Sequence, residues 1–467
     1  MAHSTENAYR WRDTAVARAS DDFYPTDTSS HRPHLAACAY NGLFLGALAL
    51  PDWDMFHSRH SAAALHAAAR AVSGGPVYVS DAPGAHGFEL LRSLVLPDGA
   101  VLRARLPGRP TRDTLFADVM RDGATAQKVW NLNAATGVVG VMNIQGSAWD
   151  RVKRRFVVHA PTPPALVATV RVADVEPFAR AARARAAAGA AARRRSPDSP
   201  LALLTVAARA IAGGSGGDAS EATAPAASSG YGSDVSSEGG AASVRPTAGA
   251  NGNANGNANG NANANANANG NRAAAPLASA DADAEAAPAA AGAIAAGASG
   301  AASGGGSWAM YVSTTRQVHR VDSDGGVRVS VAPGQAAVVT IARVRRAGGV
   351  EFAPLGLANM LNGGGAITYV RAALSGGAWA DATDSAAAPA APAAPRRGGA
   401  APRFALGLRG RGTLVAAASA APAAVRLAGE PAPHAWRAGV LEVQVGGDGA
   451  ERELIIEFAE AEAEAAP

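Results

Sequence analysis

The sequence predicts an α/β portion followed by an all-β portion, with a long low-complexity insertion breaking the second. Three observations carry this. Alanine-rich apolar segments of helical length alternate with a short β-type run through the first hundred residues. From Val101 the texture changes to short apolar runs separated by Gly, Pro and Asp, the pattern of an antiparallel sandwich or meander. Between 183 and 305, poly-Ala, Gly-Ser and Asn-Gly/Asn-Ala repeats offer too few large side chains to offset chain entropy, so that stretch is expected to be disordered.

Residues 1–100 form the first unit. Within it His34–Leu50 reads as a buried helix ending near Gly46. His57–Val72 reads as an alanine-rich helix stopped by Gly74-Gly75. Val77–Ser80 is a short strand, and Phe88–Leu96 another short helix. Residues 101–182 open the β-domain, with strands at Lys128–Leu132, Val138–Ile144, Phe156–His159 and Leu166–Val172. After the insertion, residues 306–384 resume it at Trp308–Ser313, Val327–Val331, Ala336–Val344 and Ala366–Val370. An Ala/Pro linker at 385–403 precedes the last strands in 404–460: Leu414–Ala418, Gly439–Val445 and Leu454–Phe458. Asp98-Gly99 and Asp322–Gly326 read as hairpin turns. One β-domain split by the insertion is the simplest architecture, and a separate second β-domain is the alternative. At 467 residues the length suits two or three domains, but alanine dominates the 48% hydrophobic content and lowers the foldable part to two modest units.

Charge and cysteine content exclude several function classes. The formal net charge is only +4. The dense basic run, Arg180–Arg185 with Arg193–Arg195, borders low-complexity sequence and reads as a solvated linker, so no nucleic-acid partner is expected. Cys38 is the 1 cysteine; it allows no intrachain disulfide and sits in an apolar run as a small hydrophobe, which suits a reducing compartment such as the cytoplasm or a plastid. No apolar run approaches the ~20 residues of a membrane span, and the first eleven residues lack a secretory core. His31, His34, His57, His60 and His66 invite a metal, but no cysteine or tight carboxylate set completes tetrahedral ligation, so none is expected. The Gly-rich runs lack the strand–loop–helix context of a phosphate cradle, and no cofactor is expected.

Most chemistry-bearing side chains fall in two runs, Arg18-Ala-Ser-Asp-Asp-Phe-Tyr-Pro25 and Pro51-Asp-Trp-Asp-Met-Phe-His-Ser58. Carboxylates beside an arginine, then a Trp flanked by two Asp, equip a sugar or polyol site. Carboxylates grip hydroxyls and move protons, aromatic faces stack on sugar C–H, and Arg holds a carboxylate ionised. An exposed turn rich in Asp and Pro is the alternative on these residues alone.

The run from Arg18 to His60 closely resembles the raffinose synthase and alkaline α-galactosidase family (glycoside hydrolase family 36). The likeness continues through Gly75-Pro-Val-Tyr-Val-Ser-Asp-Ala-Pro-Gly84, Leu94-Val-Leu-Pro-Asp-Gly99, Leu106–Asp113, Lys128-Val-Trp-Asn-Leu-Asn133 and Gly137–Gly146. Fainter echoes lie at Trp308–Val312, Phe352–Leu357 and Asn362–Ile367. Coverage is dense over 1–160 and patchy over 305–458. The resemblance implies that residues 1–100 are the C-terminal part of a (β/α)8 barrel, with Ala15–Ser20 closing a strand and the acidic pair on the loop at its carboxyl end. It implies a retaining double displacement by two carboxylates typically ~5–5.5 Å apart.

Each site residue carries a role by that resemblance and a plainer one beside it. The family's acid/base lies in Arg-x-x-x-Asp, here Arg18 to Asp22; aligning on the Ser-Asp pair selects Asp21 instead. Consecutive side chains point different ways, so the other Asp fixes the loop. Arg18 matches an arginine that contacts sugar hydroxyls, its plainer role being an ion pair with Asp21 or Asp22. Asp54 and Met55 match an Asp-Met pair lining the galactose pocket. Trp53 is a candidate stacking platform or a core residue, and Asp52 is a weaker candidate still.

The family nucleophile, the Asp of Lys-x-Asp, has no counterpart, since Lys128 and Lys153 are followed by other residues. The chain therefore looks like the C-terminal portion of such an enzyme, from a truncated gene model or a degenerate copy. The expected activity is α-galactosyl transfer from galactinol to sucrose within a fuller enzyme. Hydrolysis of raffinose-type oligosaccharides is the alternative, and an inactive carbohydrate-binding protein the alternative of another class.

Overall fold

The computed structural model describes residues 16–195, 307–381 and 400–460. The chain divides into two units, Met1–Ser199 with Gly292–Pro467, and Pro200–Ala291; the second lies outside the described residues, as does most of the expected insertion.

Two parallel strands, β1 (Val16–Arg18) and β2 (Leu50–Asp52), pair in register Val16 to Leu50. Beyond them an isolated parallel bridge joins Phe56 to Val79. Parallel neighbours need a crossover, and helices supply both. Helix α1 (His31–Leu45) spans the first and α2 (Ala63–Ser73) the second. Helix α1 starts earlier than its apolar run suggests because Pro33, in the first turn, needs no N–H partner. It ends at Gly46 as expected.

Helix α2 begins six residues later than the sequence suggests. Side-chain bonds hold the preceding stretch instead: Ser58 binds Asp81 through both N and Oγ (2.7 and 2.6 Å), and His60 Nδ1 accepts the Ala62 N–H at 3.0 Å. The helix stops at Gly74, whose φ of 73° is left-handed and where a Cβ would lie 2.0 Å from the Leu106 carbonyl oxygen. The helix expected over Phe88–Leu96 is only Phe88–Leu91, because a reversal at Asp98-Gly99 pulls Val95 into a bridge with Val101.

The β-rich remainder is antiparallel. A six-stranded sheet runs in the order Gln317–Val321, Trp308–Val312, Ala336–Arg343, Thr136–Met142, Gln127–Leu132, Arg109–Pro110. One face packs under the helices, with Leu35, Leu65 and Val72 meeting Val129, Val138 and Val338. The other carries Trp130, Val139 and Ile341 against the paired strands Leu166–Arg171 and Gly326–Val331. Further sheets of five and six strands enclose Phe352, Phe404, Leu441, Ile456 and Phe458.

Strands from before 182 pair directly with strands from after 306: Ala336–Arg343 zips to Thr136–Met142 and Gly326–Val331 to Leu166–Arg171. The Asp322–Gly326 turn therefore joins strands of different sheets and closes no hairpin.

The helix Glu176–Arg195 runs past residue 183, where disorder is expected. Alanine and arginine propensity favours it, and Glu176 anchors its start through Arg112 (2.8 Å) and Arg180 (2.9 Å). Of the expected 385–403 linker, 385–399 lies outside the described residues, while Pro402–Leu408 is a strand. Among the described residues no helix is long and apolar enough to cross a membrane.

Candidate active site

Because β1 and β2 are parallel, their carboxyl ends share an edge, and the loops leaving them meet there. Arg18 ends β1, and one terminal nitrogen of its guanidinium donates to Asp54 Oδ2 at 2.7 Å, to Asp22 Oδ1 at 3.1 Å and to the Asp21 carbonyl at 3.0 Å. Burial pulls its pKa down, but the charges of Asp54 and Asp22 outweigh this and leave it raised. The Phe23 N–H also donates to Asp54 Oδ2, at 2.8 Å. A single carboxylate thus ties the β1 loop to the β2 loop.

Asp54 sits at φ 64°, a left-handed conformation that Asp tolerates better than most residues. Three neighbours fix it. Asp52 Oδ1 accepts the Asp54 N–H at 2.9 Å, and Tyr78 Oη donates to Asp52 Oδ2 at 2.8 Å. Arg70, wholly buried in α2, donates to the carbonyls of Trp53, Asp54 and Met55 at 2.7, 3.0 and 2.9 Å. Burial lowers Arg70 to about 10, which leaves it charged at neutral pH. Burial and then the Asp52 hydrogen bond push Tyr78 well above the usual phenol range.

Imidazoles behind this loop surround Phe23, whose ring lies edge-on to His31, His34, His57, His60 and His66. Arg70 donates to His66 Nδ1 (2.9 Å); a guanidinium can only donate, so His66 carries its proton on Nε2 and passes a hydrogen bond to His31 Nδ1 at 3.0 Å. Burial lowers His31 and His34 to about 4 and His66 well below its ordinary value, so all three are neutral at pH 7. Among the described residues no group of three or more His, Cys, Asp or Glu is placed to hold a metal ion.

Of the sequence candidates, Arg18, Asp22 and Asp54 are brought together. Asp22 is largely exposed beside Arg18. Asp21 turns its carboxylate elsewhere; burial and then the Asp22 charge raise its pKa. Trp53 has no accessible surface: it packs with Leu35, Cys38 and Leu65 and presents no face for stacking in this chain. Met55 packs half-buried against Phe23 and Phe56. Asp52 fixes the loop from a buried position. Buried Cys38 has its thiol pushed up to about 12 by burial, as a small hydrophobe would. Sequence reasoning missed Arg70 and Tyr78. A lone arginine inside the alanine-rich α2 was the available signal for the first, and the tyrosine within Gly75–Gly84 for the second.

The chain matches the family described as "Raffinose synthase or seed imbibition protein Sip1" over residues 1–192 and 278–445. It is 57% identical over 181 residues to the probable galactinol–sucrose galactosyltransferase 6 of Arabidopsis thaliana, covering 39% of this chain and 24% of that protein. Identity is 51% over 170 residues to a galactinol–sucrose galactosyltransferase of Oryza sativa subsp. japonica, covering 35% of this chain and 22% of the relative. It is 39% over 170 residues to a stachyose synthase of Pisum sativum, covering 35% and 20%. The chain spans about a quarter or less of the length of these relatives.

Proposed function

The chain belongs to the raffinose synthase family, and from that premise we propose that its two acidic loops are part of the site of an α-galactosyltransferase acting from galactinol to sucrose. The observation that carries this reading is the Arg18 guanidinium bridging Asp22 and Asp54 where two parallel strands end. Parallel neighbours joined by helical crossovers, with chemistry at their carboxyl ends, suit the closing part of a (β/α)8 barrel. In this reading Asp54 accepts from galactose hydroxyls and Arg18 donates to them. As a carboxylate that these residues do not supply displaces it at the anomeric carbon, the departing glycosidic oxygen takes a proton from Asp22; the acceptor hydroxyl returns one to Asp22 when it displaces that carboxylate in turn. Asp21 is the alternative proton carrier, and its raised pKa suits an acid. Asp52, Tyr78 and Arg70 position Asp54.

The same site serves hydrolysis if water replaces sucrose. A purely carbohydrate-binding role is favoured by one observation: Lys-x-Asp is absent, so these residues do not supply the second carboxylate of a double displacement.

Galactinol turnover with and without sucrose, assayed on this chain and on the longest product of its gene, tests the proposal. Sucrose-dependent formation of a trisaccharide supports transfer, release of free galactose alone supports hydrolysis, and binding without turnover supports the third reading.

A further inference from the structure

The acid of a glycosyl transfer faces the oxygen that leaves, so the leaving unit must lie on the acid's side. The acceptor later returns a proton to the same carboxylate and must occupy the same space. The surroundings of the Asp21–Asp22 loop away from Asp54 therefore define where a second sugar can sit.

Asp21 lines a half-open groove of about 590 Å³, within the range of small-molecule sites. The wall opposite comes from the β-rich part of the fold. Strands Ser147–Asp150 and Arg155–Val158 form a hairpin in which Trp149 stands directly across from Phe156. Their rings meet edge to face at 5.0 Å and 74°, and Trp149 remains 44% exposed. Tyr40 of α1 adds a third ring, held through its hydroxyl by the Thr114 carbonyl. Arg121 and Arg151 add two guanidinium groups and Pro33, Ala36, Ala37 and Met120 the apolar remainder of the lining; Arg121 pairs with Asp118 and also donates to the Trp149 carbonyl at 3.0 Å, fixing the hairpin.

We propose that this groove is the subsite for the second sugar, both the unit that departs and the acceptor that replaces it, with Trp149 as its stacking face. The inference rests on the proposed function with Asp21, the carboxylate that lines the groove, as its proton carrier. A sugar ring presents C–H on its faces and hydroxyls at its edges. The groove answers with aromatic rings flanked by a carboxylate and two guanidinium groups. Choice of acceptor thus falls partly to a hairpin of the β-rich region, far in sequence from the galactose-contacting Arg18 and Asp54.

The test follows the tryptophan indole N–H signals of the full chain by NMR during separate titrations with sucrose and galactose. Sucrose is expected to move the Trp149 signal, identified by its loss in Trp149→Ala. That variant should bind sucrose about three- to tenfold more weakly, the scale of one aromatic contact, while Trp149→Phe restores most of the affinity. Phe116→Ala, an exposed ring outside the groove, should change nothing, and unchanged melting midpoints establish that the variants fold. Sucrose binding that is undetectable, or equal in Trp149→Ala and the parent, overturns the proposal. Galactose supplies the separate readout. If its binding is insensitive to Asp54→Ala while sucrose still depends on Trp149, the galactosyl reading fails and the groove stands as a sugar site.

Discussion

Asp54 is over-determined by its neighbours, and Arg70 does most of this. A buried guanidinium that fans across three successive carbonyls cannot be replaced by an ammonium, which lacks the planar fork. Arg70→Met should therefore destabilise the fold by roughly 2–4 kcal/mol, from carbonyls left unsatisfied, and Arg70→Lys should recover little. Urea unfolding of the two variants measures this; parent-like midpoints would remove Arg70 from its positioning role. On the proposed function, Asp22→Asn in the longest product of the gene should slow turnover of galactinol, whose alcohol leaves poorly, far more than the first step on an activated aryl galactoside. Equal slowing on both substrates would take the proton away from Asp22.

The buried imidazoles make stability depend on pH with a definite sign. His34 stays neutral in the fold down to about 4, whereas in the unfolded chain it protonates near the ordinary value of about 6.5. Below that value the unfolded state binds more protons, so stability is full above about 6.5 and falls as pH drops towards 4. His34 alone withdraws on the order of 3 kcal/mol across that window, and His31 and His66 add in the same direction. Chemical denaturation at pH 7, 5.5 and 4.5 should show a steady loss. A flat profile would mean that these rings are solvated.

At the scale of elements, α2 depends on a left-handed stop. Gly74→Ala places a Cβ against the Leu106 carbonyl at a positive φ, so it should cost about 1–3 kcal/mol, read as a lowered melting midpoint. An unchanged midpoint would show that the turn can relax. Strands were largely legible because alternating apolar runs such as Val327–Val331 bury one face each. Helix limits were less so. At Ser58 and His60, long-range bonds to Asp81 and to the Pro25 carbonyl help decide where α2 begins, and no local pattern in the sequence encodes such partners. Trp53 shows the same limit within the site: its flanking Asp residues suggest a ligand surface, yet its burial depends on what α1 and α2 place over it.

At the scale of the molecule, the partners of each strand decide what matters for folding. The sheets are sewn together across the long insertion by Leu166–Arg171 with Gly326–Val331 and by Thr136–Met142 with Ala336–Arg343. The paired strands all lie outside 200–291, so deletion of those residues should leave the melting midpoint within about 2 °C of the parent, the order of shift that ~1 kcal/mol produces in a folded unit larger than 250 residues. Loss of soluble protein would make that segment part of the fold. Diffraction from the longest product of this gene crystallised with galactinol tests the central claim most directly. The expected density places galactose hydroxyls on Arg18 and Asp54, with the glycosidic oxygen within hydrogen-bond reach of the Asp22 or Asp21 carboxyl. A sugar seated away from both members of that acidic pair would contradict it.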